Sequence, residues 1–387
     1  MANYDYEIVN GRKIRVRPKE TVSEIDKNGY FRRQPNHFTT PFGDGENDLK
    51  AEGNKRYRLV WAKLCHWSNR AAIVRELEGL EDQISVNMVE HAPHEKNLGW
   101  EYVYNENNID PVLGDQFLSE AYYRADDDYQ GRTTVPALID TTTGKVVNND
   151  YNWLTTYFEV NFRPWHKKGA PELYPVELRE EIDKMNLWLF DNINNAVYRS
   201  SFSRSNEGHF DGVNTFYAAM DRLEKRLETN RFLFGDYVTD SDIRLYVTLA
   251  RLDIRYTAQL GETKRPLYTY KNLWGYAKEL WEIPAFKNNT FFADFAVPPA
   301  DAKGRIEGEE DGFRASTHYD LALPKIDWDA QWKVSTERAY LSSDPTHPIY
   351  LGNNRRFDID PTWYDLGAES PKKEEKETPP SCGCCCG

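Results

Sequence analysis

Between Tyr57 and His91 the spacing of apolar residues changes twice. "YRLVWAKL" (57–64) is a short apolar run rich in aromatic and branched residues, which predicts a strand. From His66 onward Trp67, Ala71, Val74 and Leu77 recur at helical spacing, and Gly79 is placed to close the helix. "ISVNMVEH" (84–91) alternates as a second strand. The pattern predicts a β-α-β unit with Cys65 at the strand-to-helix turn. Some forty residues later, "TTVPALIDTTTGKVVNND" (133–150) sets two short strands around a Thr-Gly turn, the signature of a hairpin.

A β-α-β unit followed by antiparallel strands predicts a thioredoxin-like half. In that fold Pro136, which would otherwise demote a strand, is expected to follow a cis Val135–Pro136 bond facing the thiol. From about Leu178 the period becomes helical. "LREEIDKMNLWLFDNINNAVY" puts Ile182, Met185, Leu189, Ile193 and Val197 on one face, and "GVNTFYAAMDRLEKRLE" (212–228) repeats the habit. "VTDSDIRLYVTLARLDI" carries a capping box, Thr239 with Asp242, and Val238 and Ile243 can staple around it. The expected fold class is therefore α/β plus all-α. The expected boundaries are 1–55 for an extended N-terminal arm, 56–165 for a thioredoxin-like thiol-binding domain and 175–297 for an all-helical domain. Residues 298–367 read as a wrapping extension, because Trp328, Trp332 and Trp363 are costly to expose. Residues 368–387 read as a disordered, charged, Cys-rich tail.

Composition narrows the function. A chain of 387 residues with 40% hydrophobic and 29% charged positions can bury a large core. The formal net charge of −13 argues against a nucleic-acid or anionic-membrane partner. No stretch reaches the ~18 apolar residues of a membrane span, and "MANYDYEIVNGRKIRVRPK" lacks the apolar centre of a signal peptide, so a cytoplasmic location is expected. Four of the five cysteines (Cys382, Cys384, Cys385 and Cys386) lie in the last six residues. A body with one thiol cannot be a disulfide scaffold.

That thiol is the main chemical candidate. The first turn of a helix offers unpaired N–H groups and a positive dipole end, both of which favour a thiolate. The plain alternative is an inert buried cysteine, common for this residue type; the strand-turn-helix setting and the facing Val-Pro argue against it. Position 68 is Ser, so the motif is C-x-x-S, and a mixed disulfide on Cys65 needs an external thiol to resolve it. His91 and His94 lack a third ligand, and no metal site is expected. The cysteine tail is a candidate for soft-metal binding or thiol exchange, on a linker long enough to bring it to Cys65.

"RYRLVWAKLCHWSNRAAIVRELEGLED" resembles the active-site segment of the glutathionyl-hydroquinone reductases, the Xi class of the glutathione transferase superfamily, which reads R-Y-x-L-Y-x-x-x-x-C-P-W-A-H-R. "HAPHEKNLGWEY", "YYRADDDYQGRTTVPALIDTTTGKVVNND", "DKMNLWLFDNINNAVYRSSF", "RFLFGDYVTDSDIRLYVTLARLDIRY" and "LYTYKNLWGYAKELW" are similar to further segments of that family, from about Gly29 to Phe292. The resemblance implies a glutathione-transferase helical domain and a homodimer. It also implies glutathione, or a related low-molecular-weight thiol, as cosubstrate, with a small-molecule thiol conjugate as substrate. By the same resemblance Cys65 is the nucleophile and Tyr198 reaches the phenol of the conjugate. Trp100, Arg132, Val135, Pro136, Asp150 and Tyr151 form the glutathione side. Three departures stand out: His66 for the family's proline, Ser68-Asn69 for Ala-His, and Asp150-Tyr151 for the Glu-Ser pair at the γ-glutamyl end. The family's second phenol-binding tyrosine, in H-I-x-x-H-Y-(F/Y), has no counterpart in "NNTFFADFAVPPADAK". The expected function is a thiol-dependent reductase or transferase. The alternatives are a biosynthetic enzyme acting on another thiol adduct, and a non-catalytic scaffold with a metal- or partner-binding tail.

Overall fold

The computed structural model describes residues 4–17, 23–92, 98–256, 260, 265–295, 327–333 and 338–342. The chain opens with a hairpin, β1 (Tyr6–Val9) and β2 (Arg12–Arg15), where an arm of little regular structure is expected. The signal is Asn10-Gly11: both residues have positive φ, 51° and 78°, as a two-residue hairpin turn requires.

A four-stranded sheet follows, built from β3 (Tyr57–Trp61), β4 (Ile84–Met88), β7 (Ala137–Asp140) and β8 (Lys145–Asn148) in the order β4-β3-β7-β8. β3 runs parallel to β4, and β7 is antiparallel to both β3 and β8. Every residue of β3 is buried, which matches an unbroken apolar run at the centre of a sheet. The crossover from β3 to β4 is α1 (His66–Leu77), closed by Gly79 at φ +73°. Residues Glu90–His91 (β5) leave β4 and pair instead with β6 (Trp100–Glu101), so the predicted second strand is split in two. α2 (Leu118–Ala125) packs on β8, and α3 (Leu154–Val160) follows the hairpin.

The second half is helical: α4 (Arg179–Leu189), α5 (Ala196–Phe202), α6 (Asn206–Arg226), α7 (Asp240–Arg251), α8 (Lys271–Trp281), α9 (Pro284–Asn288) and α10 (Phe292–Phe295). All five residues of the predicted stripe, Ile182 to Val197, are fully buried. Steps of four residues drift by about 40° each on a 3.6-residue helix; a wide π turn at Phe190–Asn194 breaks the helix where that drift accumulates. At the start of α7 the Asp242 carboxylate accepts from the Thr239 N–H at 2.8 Å and from its hydroxyl at 3.0 Å, the predicted cap. Beyond residue 295, α11 (Trp328–Trp332) sets Trp332 against Trp274 and Phe292, each at 5.0 Å. Trp363 and the tail cysteines lie outside the described residues. No described helix is long and apolar enough to cross a membrane.

The two halves are joined at α1 and α7. Arg244 donates to Asp240 at 2.6 Å and to the Asn152 carbonyl at 2.6 Å. Burial acts to raise the Asp240 pKa, but Arg244 outweighs it and holds the carboxyl below its ordinary value. Arg251 reaches back across the interface to the carbonyls of Lys63 (2.7 Å) and Leu64 (2.8 Å) and to Asn69 Oδ1 (3.1 Å). These bonds fasten the turn that carries Cys65.

Candidate active site

Cys65 is the N-cap of α1, extended at φ −84° and ψ 114°, with its carbonyl receiving the first helical bond from Asn69 at 3.0 Å. Its Sγ lies 3.7 Å from the Val135 carbonyl, just before the cis Val135–Pro136 bond. Ser68 is fully buried and braces the same turn, donating to the carbonyls of Ala62 and Cys65 at 3.3 Å. Its hydroxyl is therefore committed to the backbone rather than to thiol chemistry.

Cys65, Trp67, Trp100, Val135 and Tyr151 share one apolar cluster, with Phe190 and Tyr198 packed against it. Trp100 donates from Nε1 to the Thr133 carbonyl at 3.1 Å, and the His91 ring stacks on it at 3.7 Å. His94 lies outside the described residues. Tyr151 packs 4.8 Å from Trp67 and near-parallel to Phe190, and burial raises its pKa. Its carbonyl accepts from Arg70, which burial pushes down to about 9. Tyr198 sits on α5 with its ring 5.1 Å from that of His66. Burial, and next the Cys65 side chain, raise its phenol above the ordinary value.

Arg132 and Asp150 face groups from the N-terminal arm. Arg132 holds Glu24 through two bonds, 2.8 and 2.9 Å, while Gln34 pairs reciprocally with the Arg132 backbone. Burial alone would raise Glu24 and lower Arg132; the ion pair wins at both, lowering the acid and raising the base. Asp150 accepts from Asn36 Nδ2 at 2.9 Å and from the Asn152 N–H at 2.9 Å. Arg33 lays its guanidinium over the rings beside Cys65, 4.4 Å from the centroid of Trp67, 4.6 Å from Tyr198 and 5.4 Å from Tyr151. The arm is held there by its own turn. The Arg204 N–H donates to the Gly29 carbonyl at 2.6 Å, and a Cβ at Gly29 would stand 2.8 Å from Ser205 Cβ.

Sequence reasoning missed Glu24, Arg33, Gln34 and Asn36, because the arm has no period to read. It also missed Thr248, Arg251 and Tyr256, which approach the Cys65 turn from the far end of α7 and the wide turn after it (Leu252–Tyr256). The ring of His66, the residue that departs from the family's proline, is fully buried among Trp67, Tyr198 and Tyr256.

Residues 197–279 match the glutathione S-transferase C-terminal domain family. The chain is 34% identical over 277 residues to the glutathione S-transferase omega-like 2 protein of Schizosaccharomyces pombe, covering 69% of this chain and 87% of that one. It is 32% identical to the glutathionyl-hydroquinone reductase YqjG of Escherichia coli, over 61% of this chain and 72% of that one. The glutathione-bound structure of YqjG superposes with a TM-score of 0.61 at 31% identity, covering 69% and 87% of the two chains. The Xi glutathione S-transferase of Phanerochaete chrysosporium superposes with a TM-score of 0.63 at 33% identity, covering 68% and 90%. With the Cys65-bearing turn, the cis-proline loop and the capped helical half on one chain, this protein belongs to the glutathionyl-hydroquinone reductases, the Xi class of the glutathione transferase superfamily.

Proposed function

We propose that the protein removes glutathione from a glutathionyl-hydroquinone through a mixed disulfide on Cys65. The observation that carries this reading is a single thiol at the start of α1, beside the Val135 carbonyl and packed with Tyr198. The Cys65 thiolate attacks the glutathione sulfur; the S–S bond forms, the sulfur–carbon bond breaks, and the ring carbon takes a proton. Carbon is reduced by two electrons and the two sulfurs are oxidised to a disulfide. A second glutathione then reduces that disulfide and frees Cys65. In this reading Trp100, Arg132, Val135, Pro136, Asp150 and Tyr151 hold the peptide, and Tyr198 meets the phenol. Its setting is a homodimer in a reducing, cytoplasmic compartment.

A second reading is favoured by Tyr151, whose ring packs in one cluster with Trp67 and Phe190 at the end that the family uses for the γ-glutamyl group. There the same Cys65 chemistry serves the adduct of a different low-molecular-weight thiol. Cys65→Ser tests what both readings share. The hydroxyl is nearly isosteric, but its pKa is far too high for attack at neutral pH. Turnover of a glutathionyl-hydroquinone should vanish while the circular dichroism and melting temperature stay put. Substantial residual turnover would exclude Cys65 as the reagent.

A further inference from the structure

Residues 23–38 of the N-terminal arm cross the Cys65 cluster as a strap tied to both halves of the molecule. On the helical side the Phe31 N–H donates to Ser203 Oγ at 3.1 Å, and Arg33 Nε donates to Asn195 Oδ1 at 3.3 Å. On the sheet side the Phe38 N–H donates to Asn149 Oδ1, and the Phe38 carbonyl accepts the Asn149 N–H, both at 2.9 Å. Phe38 packs on the cluster that holds Cys65, and Arg33 lies over the rings of Trp67, Tyr198 and Tyr151. Cys65 itself is only 7% exposed, so a ligand reaching its sulfur has to contend with this strap.

The strap presents charged and polar groups like those of an amino acid. Arg132 Nε donates to one oxygen of the Glu24 carboxylate at 2.8 Å and Nη2 donates to the other at 2.9 Å. This is the bidentate geometry in which a guanidinium takes a carboxylate, so a ligand carboxylate on that edge of Arg132 must displace Glu24. The same carboxylate accepts the Gln34 N–H at 2.8 Å and so closes the strap on itself. Further along, Asn36 Nδ2 donates to Asp150 Oδ1 at 2.9 Å, where an amino group would donate. We propose that the strap is an internal competitor for the thiol cosubstrate, with Glu24 holding the carboxylate position on Arg132 and Asn36 the ammonium position on Asp150. The ligand class follows from the two contacts. A small thiol carrying both a carboxylate and an amino group displaces the strap at both, whereas a thiol lacking either leaves half of it in place. This rests on the reading of Arg132 and Asp150 as peptide-holding residues.

The competition is modest. The Arg132 side chain is 38% exposed, so water screens its pair with Glu24. A strap that is closed most of the time weakens apparent affinity in proportion to the fraction of open molecules. For a partly exposed bidentate pair braced by one further bond, that fraction is about one in three to one in ten. Glu24 therefore tunes how much thiol is needed to fill the site, without touching the reacting atoms.

The test measures glutathione binding by calorimetry in Cys65→Ser protein, where no mixed disulfide forms at that position, with and without Glu24→Gln. Glu24→Gln keeps the shape of the side chain and removes its charge. Binding should tighten about 3–10-fold, and Glu24→Asp should fall between the two. Hydrogen–deuterium exchange gives a second readout that needs no change in the strap: saturating glutathione should speed exchange of the amides in residues 23–38 of Cys65→Ser protein. Equal or weaker binding in Glu24→Gln, or strap amides that exchange no faster with glutathione bound, would overturn the strap and leave the Cys65 reading untouched. Tighter binding in Glu24→Gln, with no turnover of a glutathionyl-hydroquinone by the wild type, removes the Cys65 reading and leaves the strap. If none of these proteins binds glutathione, the strap is no competitor for it and the proposal fails.

Discussion

Replacing Arg251 should unfasten the turn that presents Cys65. Its guanidinium donates to the carbonyls of Lys63 and Leu64, immediately before Cys65, and to Asn69 Oδ1 four residues after it. A hydrogen bond from a charged donor contributes ~1.5–3 kcal/mol, so the two carbonyl bonds together place about 3–6 kcal/mol at stake. Part of that is returned in Arg251→Met, because the variant no longer buries a cation, which itself costs several kcal/mol. We expect a net destabilisation of roughly 2–4 kcal/mol, or a fall of about 3–6 °C in melting temperature. The effect on rate is separable, since a displacement of ~1 Å in a reacting group costs about 10²-fold. Arg251→Lys discriminates charge from geometry: a single ammonium keeps the charge but lacks the planar fork that spans the three acceptors. Both variants should therefore lose about 10²-fold in kcat, and both should change the rate at which iodoacetamide alkylates Cys65. Full activity in Arg251→Lys would mean that charge alone matters. Wild-type rate and melting temperature in Arg251→Met would refute the claim that this residue positions the nucleophile.

Two further outcomes are expected. Asp150 is one methylene shorter than the family's glutamate and is held by Asn36, while Tyr151 fills a serine's place and packs against Trp67 and Phe190. Asp150→Glu with Tyr151→Ser should therefore tighten glutathione binding by about one to two decades in calorimetric titration, and no gain would count against an altered γ-glutamyl end. His166 lies 3.0 Å from Glu78, and although burial acts to lower its pKa, the Glu78 bond outweighs it and raises the value above 6.5. Its contribution to stability is fully present below pH 6.5 and is lost as pH rises through the folded value. Melting temperature should fall over that window in the wild type and fall less in His166→Gln; identical slopes would exclude the pair.

What could be read from the chain alone was what short-range periodicity and turn chemistry control. β3, α1 and the buried stripe from Ile182 to Val197 follow from residue spacing. The Thr239–Asp242 cap and the turn at Gly144 follow from local chemistry. The N-cap position of Cys65 belongs to this group, because the period changes at that residue. The Asn10-Gly11 hairpin also belongs to it, although the polar character of the arm hid it. Tertiary structure alone decided the rest. The partners of His66 come from positions 248 and 256, the donor that fixes the Cys65 turn from position 251, and the groups on Arg132 and Asp150 from positions 24 and 36. These are polar contacts between residues 108 or more positions apart in the chain, and such contacts leave no period in sequence. Their geometry exists only once the apolar faces of α1 and α7 have packed and brought the polar groups within bonding distance.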